Sequence, residues 1–180
     1  MNATRAATLN TERSAAKVAE FAHRGITLRR KVQTYEKRFS FPPEEVFPQL
    51  CPARELDWID GWDCDLLYTS TGYVEPDCIF STSESSPFGP GLWIFARHEP
   101  NRKLELVRTI GDAVVIHFRI DLQDNKDGTS TGRWHLTFTA VTETGNAIVD
   151  SLPTQDPAIL GAIEGLEHFL RTGSMARRQG

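Results

Sequence analysis

The chain has 180 residues, about one domain's worth, and at that length a core forms without staples. Hydrophobic residues make up 39% and charged residues 24%, which excludes a disordered chain. The longest apolar run is the five residues Leu92–Ala96, far short of the ~20 that a membrane-spanning helix needs, so no membrane insertion is expected.

The net charge of −4 is unevenly spread: residues 1–38 carry +6 and the remaining 142 carry −10. Residues 1–31 read as a basic arm. Within it, Ala15, Val18, Ala19 and Ala22 fall at helical spacing and predict a thin helix over 12–24, ended by Gly25. The arm lacks interleaved aromatics and carries glutamates, so a solvated arm is expected and a nucleic-acid partner is not.

The body of the protein is expected over 32–173, followed by a basic tail over 174–180. Val32–Tyr35 and Phe39–Phe41 predict one strand that stops at Pro42-Pro43. Proline cannot donate to a ladder but suits the first turn of a helix, where Glu44 and Glu45 also match the helix dipole. Val46, Phe47 and Leu50 give that helix an apolar side, and Pro48 breaks it into short turns that continue irregularly to Gly61.

From Asp63 onward the pattern changes to strands, at about 63–70, 78–84, 91–98, 103–110, 112–122 and 130–143, each bounded by turn residues. Asn125-Lys126-Asp127-Gly128 is the clearest hairpin turn, with Asp and Gly tolerating positive φ. In the fifth of these strands Val114, Ile116, Phe118, Ile120 and Leu122 share a side opposite His117, Arg119 and Asp121. In the sixth, Trp134, Leu136, Phe138 and Ala140 oppose Arg133, His135, Thr137 and Thr139. One greasy and one wet face per strand predicts an antiparallel sheet covered on one side.

The last element supplies the cover. Asp156 is a helix N-cap, Pro157 fits the first turn, and Gly173 fits just past the end. Ile159, Ile163, Leu166 and Leu170 form one stripe, with Glu164, Glu167 and His168 expected to point away. Gly161 and Gly165 are costly in a helix interior, at ~1 kcal/mol each, and mark either tolerated surface positions or a close backbone approach. The fold class is α+β: about seven antiparallel strands on one long C-terminal helix, with two short helices after the first strand.

That order resembles the helix-grip fold of the START/Bet v 1-like superfamily (SRPBCC), which includes polyketide cyclase/dehydrase-like proteins. A sharper likeness lies in Phe47–Trp62, which is similar to the pattern F-P-x-L-C-P-x-x-E-x-x-W-x-x-G-W of an uncharacterised bacterial branch of that superfamily. The resemblance implies a curved sheet gripping the C-terminal helix around a cavity. It also implies a small hydrophobic ligand, aromatic or acyl, in a monomer or homodimer.

Large rings either fill a core or line a pocket for a flat apolar ligand. The resemblance favours the pocket for Trp58, Trp62, Trp93, Phe95, Phe118, Trp134 and Phe138, facing Ile163 and Leu166 of the helix. Glu55 and Tyr68 are the candidates for polar orientation. Glu55 belongs to a run of seven carboxylates (Glu44, Glu45, Glu55, Asp57, Asp60, Asp63, Asp65) that reads otherwise as a solvated surface. Sitting between Cys51-Pro52 and Trp58, it is either a desolvated acid–base group or a structural one that caps a turn or pairs with Arg54 or Arg97; the structural role is the expectation.

His98, His117 and His135 lie on strands and read as structural. Only an inward register would bring His117, His135 and Asp121 into acid–base work. Cys51, Cys64 and Cys78 contain no CxxC pair and have no histidine between positions 24 and 97, so they read as small hydrophobes rather than metal ligands. Their odd number without a secretory leader predicts reduced thiols and a cytoplasmic location. No phosphate loop, nucleophile motif or cofactor signature appears. Three functions remain: a binder of a small hydrophobic ligand, a cyclase or dehydratase using Glu55 or a histidine, and a cavity-free interaction domain.

Overall fold

Residues that alternate apolar and polar can bury only one face, and the chain satisfies them with one sheet. The computed structural model describes residues 27–177, so the helix expected over 12–24 lies outside the described residues. Seven strands form among them: β1 (Arg30–Phe39), β2 (Asp65–Tyr68), β3 (Ile79–Thr82), β4 (Gly91–Glu99), β5 (Lys103–Ile110), β6 (Val114–Asp124) and β7 (Ser130–Ala140). Their order across the sheet is β1-β7-β6-β5-β4-β3-β2, and every neighbouring pair is antiparallel. A register shift between Phe95 and Arg97 interrupts the β4–β5 ladder, the kind of bulge that bends a strand. In the β6–β7 hairpin the positive φ values fall on Lys126 and Gly128, while Asp127 accepts from the Thr129 amide.

Between β1 and β2 the chain runs through α1 (Pro43–Val46), a 3-10 turn (Phe47–Leu50) and α2 (Pro52–Glu55). Each piece is one turn long because Pro48 and Pro52 remove the amides that a continuous helix needs.

The strand expected to reach residue 143 stops at Ala140, and a helix absent from the sequence reading follows: α3 (Glu143–Ser151). Thr142 is its cap, with Oγ1 accepting from the Gly145 amide at 3.1 Å. β-branched Thr139, Val141 and Thr142 read as strand, and the cap is the feature that overrides them. The helix packs on β7 and touches β1 and β6. It comes so close that a Cβ on Gly145 would lie 2.1 Å from the Ala113 carbonyl oxygen.

The last helix, α4 (Pro157–Thr172), has the expected ends. Asp156 accepts from the Ala158 amide at 2.8 Å, and Gly173 closes the helix at φ 69°. Ile159, Ile163 and Leu166 are buried against the concave sheet face, each contributing roughly 1.5–3 kcal/mol. Glu167 departs from expectation. It is 7% exposed and turns inward, accepting from Ser40 Oγ at 2.9 Å and from Arg171 at 2.8 Å. Ser40 directly follows β1, so this carboxylate ties the far end of α4 to the sheet. At the near end the inward side chains of β1 hold the linker. Gln33 Nε2 donates to the Pro153 carbonyl at 2.8 Å, Lys31 donates to the Leu152 carbonyl, and the Asp156 amide donates to Tyr35 Oη at 2.7 Å. None of the helices among the described residues is long and apolar enough to cross a membrane.

Neither helical glycine marks a close backbone approach: a Cβ on Gly161 would meet open space, and a Cβ on buried Gly165 would sit in ordinary van der Waals contact, 3.6 Å from the Trp58 carbonyl oxygen. One substitution therefore has opposite signs at two sites. Gly145→Ala is expected to lose about 1–3 kcal/mol through overpacking. Gly161→Ala is expected to gain up to about 1 kcal/mol from helix propensity. Urea denaturation of both variants checks the pair.

Candidate functional site

The sheet and α4 do not close completely on each other. They leave an apolar chamber of about 190 Å³. Its wall comes from the inward rows of five strands, including Phe80, Trp93, Phe95, Phe118, Trp134 and Phe138. Its roof is α4, through Ile159, Ala162, Ile163 and Leu166. Its floor is the segment between β1 and β2, through Leu50, Pro52, Glu55, Trp58, Ile59 and Trp62.

The floor explains the sixteen-residue pattern singled out in the sequence. Both indoles satisfy their N–H groups within the segment itself: Trp58 Nε1 donates to the Gln49 carbonyl at 3.0 Å and Trp62 Nε1 to the Pro52 carbonyl at 2.8 Å. Gly61, at φ 77°, supplies the left-handed turn that lets the second indole fold back. Their polar edges spent, the rings turn hydrocarbon to the chamber. Trp62 meets Phe80 and Phe88 edge-on at 6.3 and 5.7 Å, and Phe80 stacks on Trp93 at 5.4 Å.

Two ionisable side chains interrupt this hydrocarbon, joined by Asp156 at the start of α4. Glu55 is the more unusual. Its carboxyl makes no hydrogen bond or ion pair to any described residue; Arg97 pairs instead with Glu99 and Glu105. The cap or partner expected for it is therefore missing. The residue is partly buried and lines the chamber among mostly apolar side chains. Desolvation pushes its pKa from 4.5 to about 8, so it is mostly protonated at neutral pH.

Arg108 was not singled out by sequence, although strand parity places it in the inward row with Leu104, Leu106 and Ile110. It is 8% exposed and lies 4.8 Å over the Trp93 ring. Its Nη2 donates to the carbonyls of Phe88, Gly89 and Pro90, the latter two at 3.2 and 3.1 Å. A Cβ on Gly91 would stand 2.6 Å from Arg108 Nε, so glycine there makes room for the guanidinium to cross β4. Burial lowers its pKa to about 10, which leaves it charged at neutral pH.

Of the other residues marked out in sequence, Ile163, Leu166 and all seven of the named aromatics line the chamber. Tyr68 does not: β2 is a sheet edge with a register shift between Leu66 and Tyr68, and the phenol is 59% exposed. The inward register that His117, His135 and Asp121 needed is absent. His117 stands on the outer face beside Glu105 at 3.4 Å, and His135 and Asp121 line a shallow outer groove with Arg119 and Arg133. His98 sits 5.4 Å from the Phe47 ring, where burial lowers its pKa. The three cysteines are free thiols, with Cys51 and Cys78 buried and Cys64 partly so, and desolvation raises Cys64 to about 11. Among the described residues no three His, Cys, Asp or Glu side chains converge as metal ligands.

A bent antiparallel sheet holding its C-terminal helix over an apolar chamber is the helix-grip architecture of Bet v 1-like proteins, and the comparisons with solved structures agree on that fold. Norcoclaurine synthase from Thalictrum flavum, solved with dopamine and hydroxybenzaldehyde, superposes with a TM-score of 0.58 at 10% identity, over 83% of this chain and 91% of that one. A protein of Mesorhizobium loti gives a TM-score of 0.56 at 17% identity over 79% and 98% of the two chains. Ara h 8.0201 gives 0.55 at 13% identity over 80% and 99%. No family model and no curated protein sequence matches the chain.

Glu55 has a measurable signature. Between pH 4.5 and about 8 the unfolded chain releases this proton while the folded chain keeps it. Stability therefore falls as pH rises through that window, by up to about 1.4 kcal/mol per unit. Glu55→Gln removes the slope, so the variant is expected to gain on the wild type steadily from pH 5 to pH 8. Denaturation series at both ends check this; a stability difference that ignores pH contradicts a desolvated carboxyl.

Proposed function

We propose that this protein binds a small, flat, apolar ligand in the chamber between sheet and C-terminal helix. The carrying observation is the wall itself: aromatic rings from the sheet and floor meet aliphatic side chains of α4 around about 190 Å³ of space. Drug-sized ligands occupy pockets of roughly 300–1,000 Å³, while an apolar cavity of about 150 Å³ holds benzene. The volume therefore favours a single-ring compound over a long acyl chain, which needs the chamber to widen. Apolar burial drives binding at about 25 cal/mol per Å², less the cost of ordering the ligand. The dopamine and hydroxybenzaldehyde held by the similar synthase are compounds of this size class. A cavity-free interaction domain is the reading that the hollow interior does not support.

A second reading rests on Glu55. An unpaired carboxyl in hydrocarbon, titrating near 8, is equipped to give and take a proton at neutral pH, as a cyclase or dehydratase requires. In that reading the rings fold a reactive substrate against the wall and Glu55 transfers the proton.

Binding is expected to show as toluene-induced NMR shifts at chamber residues of the wild type. Ala162→Phe projects a ring from α4 into the space and is expected to abolish those shifts while the protein stays folded. No shift in the wild type contradicts the chamber as a ligand site. Native mass spectrometry of wild-type and Glu55→Gln protein separates binder from enzyme. A binder carries the same guest in both, whereas an enzyme accumulates an unconverted substrate in the variant alone.

A further inference from the structure

Arg108 has no evident reason to be charged if its work is only to fill space. A buried cation is strongly disfavoured unless an anion accompanies it. Among the described residues no carboxylate lies within salt-bridge distance of this one; the pairs formed on β5 and β6 engage other cations, on the outer face of the sheet. Asp156, which also lines the chamber, attracts Arg108 only from beyond contact distance, and its Oδ1 already caps α4. The three carbonyls at Phe88, Gly89 and Pro90 occupy Nη2 but carry no net charge. Nε is buried without a partner, and Nη1 makes no hydrogen bond to a described residue. Trp93 fixes the guanidinium plane from one side, and the Trp93 indole is itself held by Thr82 Oγ1 at 3.1 Å.

The geometry points to an aromatic monoanion, an aryl carboxylate, as the guest of the chamber, with its ring among the aromatic walls and its carboxylate on Arg108. This deepens the proposed binding function and rests on it. The two other ionisable groups in the wall do not oppose such a guest equally. Glu55, protonated at neutral pH, adds no negative charge and has a hydroxyl to donate. Asp156 Oδ1 is already engaged with the Ala158 amide of α4. With Nη2 spent on the three carbonyls, Nη1 is the nitrogen left to donate to a carboxylate oxygen, and charge-assisted bonds of this kind are about twice as strong as neutral ones. Phe88, whose carbonyl Arg108 holds, lines the same chamber, so the cation also secures the loop beside its own binding position.

Benzoate and benzamide test the idea, because they share shape and differ in charge. Calorimetric titration at neutral pH is expected to show wild-type protein binding benzoate about tenfold or more tightly than benzamide. Arg108→Gln is expected to erase that preference, so that within the variant benzoate binds no more tightly than benzamide, with circular dichroism reporting the fold. If Arg108→Gln does not fold, the wild-type comparison decides alone. Benzamide bound as well as benzoate overturns the anion assignment and leaves the chamber reading standing. A benzoate preference that survives Arg108→Gln overturns the role of Arg108. Binding of neither compound overturns both this inference and the binding function beneath it.

Discussion

One mismatch of size governs this molecule: a helix must cover a sheet much wider than itself. Seven strands about 4.8 Å apart span about 29 Å, whereas a helix with its side chains is about 10 Å across. Ile159, Ile163 and Leu166 protect the centre of the concave face and alone would leave its flanks to water. The sheet answers by bending, helped by the bulge near Phe95–Arg97, and the chain between β1 and β2 answers by covering one flank with Trp58, Ile59 and Trp62. What neither the bend nor the cover removes is the chamber. The hollow is thus the remainder of a packing problem, and its chemistry is that of the rows that face it.

The elements whose pattern is internal were legible in sequence. β6 and β7 alternate over most of their lengths, buried Thr137 being the break, and α4 announces itself through Asp156, its apolar stripe and Gly173. The elements set by distant contacts were not. α3 depends on Thr142 capping a helix that can lie down only because Gly145 fits under the Ala113 carbonyl, which no local window records. Glu167 looks like a surface residue until Ser40 is brought to it from the end of β1. Tyr68 fails for a similar reason, since nothing local tells an edge strand from a central one. The aromatic lining followed from strand parity plus the resemblance. Arg108 was equally accessible to parity, but an arginine in an inward row is easily set aside as an exception to the pattern.

The electrostatics of the chamber depend on how little polarity it contains. Glu55 titrates high because hydrocarbon surrounds it and no donor stabilises its charge; a single nearby cation in contact would reverse the shift. Arg108 stays charged because its intrinsic basicity exceeds the penalty of burial, and because the Phe88–Pro90 carbonyls supply part of what water would. The interior therefore presents Glu55 as a neutral acid and Arg108 as a cation at neutral pH, beside the Asp156 that caps α4. The outer sheet face is its opposite, a lattice of paired charges in water in which single pairs contribute little.

The two floor tryptophans have a consequence for how such a protein diversifies. Because each indole nitrogen is satisfied by a carbonyl of its own segment, the floor asks no polar favour of the strands opposite. Side chains on β3 to β7 can be exchanged for larger, smaller or differently shaped ones without orphaning a donor beneath them. The segment behaves as a self-sufficient baseplate, and guest selectivity can be rewritten on the facing wall one side chain at a time.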